Sequence, residues 1–147
     1  MPKPNYDDPA VEKRWSAARR AEVSRYLRAE GVPHGRVPVS PAWLVAPYVS
    51  VWAVEGKSSR GSVWVICGDL PTDYIPAEKA KNPREAVRGI ARLWLKAVPY
   101  MKKGKSLPTF RIGDGTKSKE LAPRLESRAK LLLAWVKDPS CWEDPDA

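Results

Sequence analysis

The chain is poor in the residues from which most reactive sites are built. Across 147 residues it holds one histidine, two cysteines and two methionines. Cys67 and Cys141 lie far apart, so they form neither a metal-ligand pair nor a disulfide framework, and a reduced, cytoplasmic protein is expected. One histidine with two scattered cysteines cannot furnish a tetrahedral zinc set, and no metal is expected. No glycine-rich phosphate loop or dinucleotide fingerprint is present, so no cofactor is expected either. No apolar run approaches the roughly 20 residues that a membrane span requires. The opening MPKPNYDDPAVEKRW lacks the apolar core of a secretory signal.

Phenylalanine is nearly absent as well, at one residue, yet tryptophan occurs seven times. An indole needs a partner for its N–H, so some of the seven are expected half-buried at a rim or interface. Hydrophobic residues make up 43% and charged residues 29%, a balance that supports a core and argues against disorder. The length suits a single domain over 1–147, with loosely ordered tails at about 1–7 and 139–147.

The net charge is +9, and it is spread unevenly. Residues 1–40 carry eight Lys/Arg against five Asp/Glu, residues 41–83 four against four, and residues 84–147 fourteen against eight. The middle is neutral and the outer segments are basic. Such a pattern suits an acidic partner, protein or nucleic acid, and it is also what a solvated surface looks like.

Periodicity predicts an α+β fold: a short antiparallel β-hairpin (about 48–54 and 62–67) packed by three main helices (about 9–30, 83–103 and 119–137). Asp8 caps the first helix, Pro9 suits its first position and Gly31 stops it. Val11, Trp15, Ala18, Val23, Tyr26 and Leu27 form its stripe, with Arg14, Arg20, Arg25 and Arg28 looking outward. Ser40-Pro41 predicts a short helical turn through Trp43 to Ala46. YVSVWAVEG and SVWVICG then alternate as two strands with bulky apolar residues on both faces, so both faces are expected to be covered.

The segment GDLPTDYIPAEKAK (68–81) is rich in turn formers and reads as a loop. Asn82-Pro83-Arg84-Glu85 resembles a capping box opening the clearest amphipathic helix, with Val87, Ile90, Ala91, Trp94, Val98 and Met101 on one stripe. Phe110 and Ile112 are expected to tuck in as a strand or plug. The last helix carries Pro123 in its first turn and buries Leu121, Leu125, Ala129, Leu132 and Val136. Leu131, Leu133 and Trp135 widen that face beyond what a solvated helix needs. Trp142 is positioned to dock the acidic tail.

Three constellations bear on chemistry. Asp69 and Asp73, with Thr72 and Tyr74, suggest a carboxylate pair for a cation or for acid–base work. With no third ligand at a useful spacing, Asx-turns that fold the loop, with Tyr74 packed, are the preferred account. A His34–Cys67 dyad is conceivable, but Cys67 fits as a small strand residue and a loop histidine commonly bonds to backbone. Arg84, Arg88, Arg92 and Lys96, spaced by four, form a basic ridge able to track phosphates, extended by Lys102, Lys103 and Lys105.

Four strings taken together, PAWLVAPYVSVWAVEG (41–56), WVICGDLPTDYI (64–75), NPREAVRGIARLWLKAVPYMKKG (82–104) and LAPRLESRAKLLLAW (121–135), mark a resemblance to a small bacterial family catalogued as a domain of unknown function. The resemblance covers most of the chain and implies a self-contained bacterial cytoplasmic domain. It implies no activity, and no functional residue is carried across from it.

The expectation is therefore a non-enzymatic protein-interaction domain, of immunity or accessory type, contacting its partner through Trp43, Tyr48, Trp52, Asp69, Asp73 and Tyr74. The alternative is nucleic-acid binding through the Arg84–Lys96 ridge, and a remoter one is a hydrolase using Asp69 and Asp73.

Overall fold

A computed structural model describes residues 3–57, 61–104 and 118–142. Phe110, Ile112 and Lys105 lie outside the described residues, as do 143–147 of the acidic tail. The chain divides into two compact units, Met1–Lys79 and Ala80–Ala147.

The first unit begins with helix α1 (Pro9–Ala29). Asp8 caps it by accepting from the Ala10 amide at 2.9 Å, and Pro9 occupies the first turn, where its missing N–H costs nothing. Gly31, at φ 68°, supplies the left-handed residue that ends it, and the Val32 amide closes on the Leu27 carbonyl at 2.9 Å. Val23 and Leu27 are fully buried, whereas Ala18 is exposed.

Four antiparallel strands follow in sequential order: β1 (Trp43–Val45), β2 (Val49–Val54), β3 (Val63–Gly68) and β4 (Leu70–Pro76). The hairpin expected from the alternation is β2–β3, with Trp52 opposite Val65 and Val54 opposite Val63. Trp52, Val54, Val63, Val65 and Cys67 pack with Val23 and Leu27 of α1 and with Val37 to form one core. Val49, Val51 and Ile66, which alternate with them, are also fully buried.

The sheet is twice as wide as the alternation implied. The segment expected to be a helical turn, Trp43 to Ala46, is β1, paired Trp43 to Val51 and Val45 to Val49. A cap-like Ser-Pro dipeptide is a weak signal, and β pairing against a preformed neighbour outweighed it. The segment read as a loop is mostly β4. Its prolines, Pro71 and Pro76, are tolerated because β4 is the outermost strand, where a missing amide donor disturbs no inner ladder.

Gly68 joins β3 to β4 at φ 146° with a register irregularity, and a β-carbon there would sit 2.5 Å from the Tyr48 carbonyl oxygen. Only glycine permits that approach.

The second unit is a pair of helices, α2 (Pro83–Lys102) and α3 (Ser118–Lys137). Asn82 caps α2 by accepting from the Glu85 amide at 2.8 Å, while Glu85 reaches back one residue further than a capping box requires, to the Lys81 amide at 2.9 Å. Val87, Ile90, Ala91, Trp94, Val98 and Met101 are buried as the stripe predicted, joined by Ala86 and Ala97. Pro99 lies inside the helix, which runs on to Lys102.

On α3 the buried face is Ala122, Leu125, Ala129, Leu132 and Val136, so Ala122 replaces the expected Leu121. The helix starts at Ser118, which puts Pro123 beyond its first turn. Leu131 is 37% exposed and does not widen the buried face. Beyond α3, Pro139–Cys141 form a short turn and Trp142 docks, its indole N–H donating to the Trp135 carbonyl at 3.0 Å.

Candidate functional site

The first unit contains an open groove of about 570 Å³ between one face of α1 and the segment 34–37. The helix presents Arg20, Arg25 and Arg28 to it, and the segment presents His34 and Arg36. Ala17 and Ala21 form its floor, Ser24 adds a hydroxyl, and among the described residues no acidic side chain lines it. A volume of this size lies within the range of roughly 300–1,000 Å³ typical of ligand sites.

Local hydrogen bonds hold the wall opposite the helix in place. Arg20, expected to point outward, clamps it: Nε donates to the carbonyls of Val37 and Pro38, at 3.1 and 2.8 Å, and Nη2 donates to Val37 at 2.7 Å. Val37 itself is buried in the core. The Gly35 amide donates to the Glu55 carbonyl at 2.8 Å, which ties the wall to the end of β2. His34 Nδ1 lies 2.9 Å from the Val32 carbonyl and must donate there, since a carbonyl only accepts. Arg20 is thus consumed by structure, while no salt bridge joins Arg25, Arg28 or Arg36 to an acid among the described residues.

The residues singled out from sequence fall into three places. Tyr48 and Asp69 do come together. The Asp69 amide donates to the Tyr48 carbonyl at 2.9 Å, so the β1–β2 and β3–β4 turns share one end of the sheet, with Tyr48 50% exposed. Trp43 is half-buried at the start of β1, two residue pairs from the turn.

Trp52, by contrast, is no contact residue. It is fully buried, and its indole N–H donates to Ser50 Oγ at 2.9 Å. Ser50 Oγ in turn lies 3.1 Å from the Cys67 carbonyl, to which it donates, and 3.3 Å from Cys67 Sγ. Trp52 shares with Val54 the sheet face that packs against Val23 and Leu27 of α1.

Asp73 and Tyr74 lie on strand β4, not in a loop folded by Asx-turns, and Asp73 bonds the next amide rather than the one two residues on. Asp73 is 8% exposed and its carboxylate accepts from the Tyr74 amide at 2.8 Å. On an outermost strand, an amide so satisfied is not offered to an incoming chain. Tyr74 packs edge-on against Tyr26 with ring centroids 6.1 Å apart, and Thr72 Oγ1 donates to Glu22 of α1 at 2.9 Å. Burial, then the negative charge of Asp73, pushes the Tyr26 hydroxyl well above the ordinary phenol range, so it stays protonated.

Among the described residues no group of three or more His, Cys, Asp or Glu is placed to hold a metal. Cys67 is fully buried, and that burial pushes its thiol up to about 11, whereas a nucleophilic cysteine requires a lowered value.

The ridge on α2 is also divided. Arg84 Nε donates to the Val136 carbonyl at 2.9 Å, so it bridges α2 to α3. Arg92 and Lys96 are exposed and Arg88 is half-buried. No described helix is long and apolar enough to cross a membrane.

Sequence reasoning passed over the groove because its two walls are separated by a turn. Arg25 and Arg28 are one helical turn apart and legible as a face, but nothing in the string shows that His34-Gly35-Arg36 folds back alongside them. No curated protein and no solved structure matches this chain. One family, described as a domain of unknown function (DUF4826), matches residues 10–142 and so spans both compact units. On that match, the chain belongs to the DUF4826 family.

Proposed function

We propose that this chain is a non-enzymatic binding module for an acidic segment of a partner protein, and that the arginine groove of the first unit receives it. The single observation behind this reading is the convergence of Arg25, Arg28 and Arg36 from two elements onto one groove that no acid among the described residues lines. Like charges held together in this way repel until an anion arrives. Arginine is the residue best suited to carboxylate recognition, because its planar fork makes two parallel hydrogen bonds. The clamp by Arg20 fixes the wall beforehand, so little ordering remains to be done on binding.

A photo-crosslinking residue at Ala21 tests the proposal in the source cell, with the captured protein then purified and its affinity measured. The double reversal Arg25→Glu with Arg28→Glu should weaken that complex about tenfold or more, as hot-spot arginines do. A captured partner whose affinity is unmoved by the reversal would overturn the assignment.

One observation supports a second reading, nucleic-acid binding by the second unit. Arg88, Arg92 and Lys96 share a face of α2 and carry no salt bridge among the described residues. If they contact phosphates, log affinity against log salt should flatten by roughly 0.9 for each contact removed in Arg88→Glu and Arg92→Glu. An unchanged slope would rule this face out.

A further inference from the structure

We infer that the anion this groove reads is a phosphate monoester, carried as a phosphorylated serine or threonine on the partner segment. The inference rests on the groove being the partner-binding surface.

Its first support is stoichiometry of charge. Arg25 and Arg28 on the helix and Arg36 on the facing wall present three guanidinium groups that no acid among the described residues neutralises. One carboxylate brings a single negative charge and two oxygens, which leaves most of that set unpaired. A phosphate monoester brings about −1.5 to −2 at neutral pH and three acceptor oxygens, enough for forks arriving from both sides at once.

Geometry supplies the second support. Donors on opposite walls suit a compact anion with acceptors pointing several ways better than a planar carboxylate, which offers its lone pairs in one plane. Arg36 is the residue that matters here, because it alone brings a guanidinium from across the groove. Ser24 adds a neutral donor on the helical side.

His34 is the third. Its Nδ1 is committed to the Val32 carbonyl, so Nε2 is the ring nitrogen left to a ligand. A phosphate and an imidazole can share one proton in either direction: a protonated ring donates to the dianion, and a neutral ring accepts from the P–OH of the monoanion. A carboxylate at neutral pH has no proton to contribute to a neutral ring.

The remaining volume limits the ligand's source. A cavity of about 570 Å³ is far larger than a phosphate alone, and its floor of Ala17 and Ala21 offers only small apolar surface. Flanking peptide lying along that floor fills the space, which free phosphate does not.

The experiment uses the full chain at roughly 0.15 M ionic strength. Its probes are three peptide libraries of identical randomised flanks, centred on phosphoserine, on glutamate or on serine, with inorganic phosphate as competitor. The phosphoserine library should bind about tenfold or more tighter than the glutamate library. Arg25→Gln, Arg28→Gln and Arg36→Gln should each remove roughly that factor, the scale of a charge-assisted hydrogen bond. The three variants should keep the thermal midpoint of the parent, since none of these side chains makes a hydrogen bond or ion pair among the described residues. Equal binding of the glutamate and phosphoserine libraries would overturn the phosphate assignment and leave the acidic-partner reading standing. Inorganic phosphate binding as tightly as the phosphoserine library would overturn the peptide source. Binding of no library would overturn both readings.

Discussion

The two compact units stabilise themselves by different means. The helical pair of the second unit relies on an apolar stripe, on the local bonds of the Asn82 cap and the Glu85 reach-back, and on two bonds between its helices, Arg84 to the Val136 carbonyl and Lys102 to Glu126. The sheet unit relies on polar side chains that bridge distant segments. Arg20 holds Val37 and Pro38, Thr72 holds Glu22, and Ser50 links Trp52 to Cys67.

Their charge and their surface shape do not run in parallel. The sheet unit carries eleven Lys/Arg against nine Asp/Glu, and the helical unit fifteen against eight. Yet the concave, acid-free groove belongs to the nearly balanced unit, while the more basic one displays Arg92 and Lys96 along an exposed helix face. Net charge therefore does not coincide with concave, acid-free surface among the described residues, and the proposed anion site follows the second rather than the first.

Mutations should separate the two units. The largest effect is expected from Trp52→Ala, which removes a fully buried indole and the hydrogen bond it donates to Ser50, at a cost of about 3–5 kcal/mol in urea unfolding. Trp94→Ala in α2, equally buried, should fall in the same range; a much smaller loss would show that the helical unit depends on its local bonds rather than its stripe.

Arg20→Ala should cost about 1.5–3 kcal/mol because it leaves two part-buried carbonyls without their charged donor, whereas Arg88→Ala should stay within about 0.5 kcal/mol. Equal losses at the two positions would erase the proposed contrast between a clamping and a displayed arginine. Gly68→Ala should cost more than Gly61→Ala: both positions have a positive φ and are strained by a side chain, at about 1–3 kcal/mol, but only at 68 does the new β-carbon also collide with the Tyr48 carbonyl.

The smallest effect should be titration of Cys67. Its folded thiol sits near 11, above the ordinary value of about 9. The folded state thus holds this proton more tightly than the unfolded state. The resulting stability is complete below the ordinary value and declines as pH rises through about 11. Unfolding measured across that window should show a decline that Cys67→Ala reduces. Consistent with this, iodoacetamide should modify the half-buried Cys141 before Cys67 in the folded protein.

Much of the fold was legible because its signals are local. The caps Asp8 and Asn82, the stop at Gly31 and the 3.6-residue stripe on α2 each depend on neighbours within a turn or two, and the three helices fall within a residue or two of their expected bounds. The central hairpin was legible for the same reason, since alternation is a property of adjacent residues. The outer strands were not. Pro71 and Asp73 read as turn residues, and only their position on the outermost strand, where a missing or self-satisfied donor is tolerated, makes them compatible with β4.

The candidate site was the least legible part. Tyr48 and Asp69, named from sequence, share one end of the sheet, Trp52 lies in the core, and the groove went unread. Sequence by itself determined the charge available, the helical face bearing Arg25 and Arg28, and the scarcity of catalytic residue types. Tertiary structure alone decided which arginine is consumed and which are offered. That decision turns on a backbone segment folding back within hydrogen-bond reach of Arg20, a contact between residues 17 and 18 positions apart that no local rule encodes.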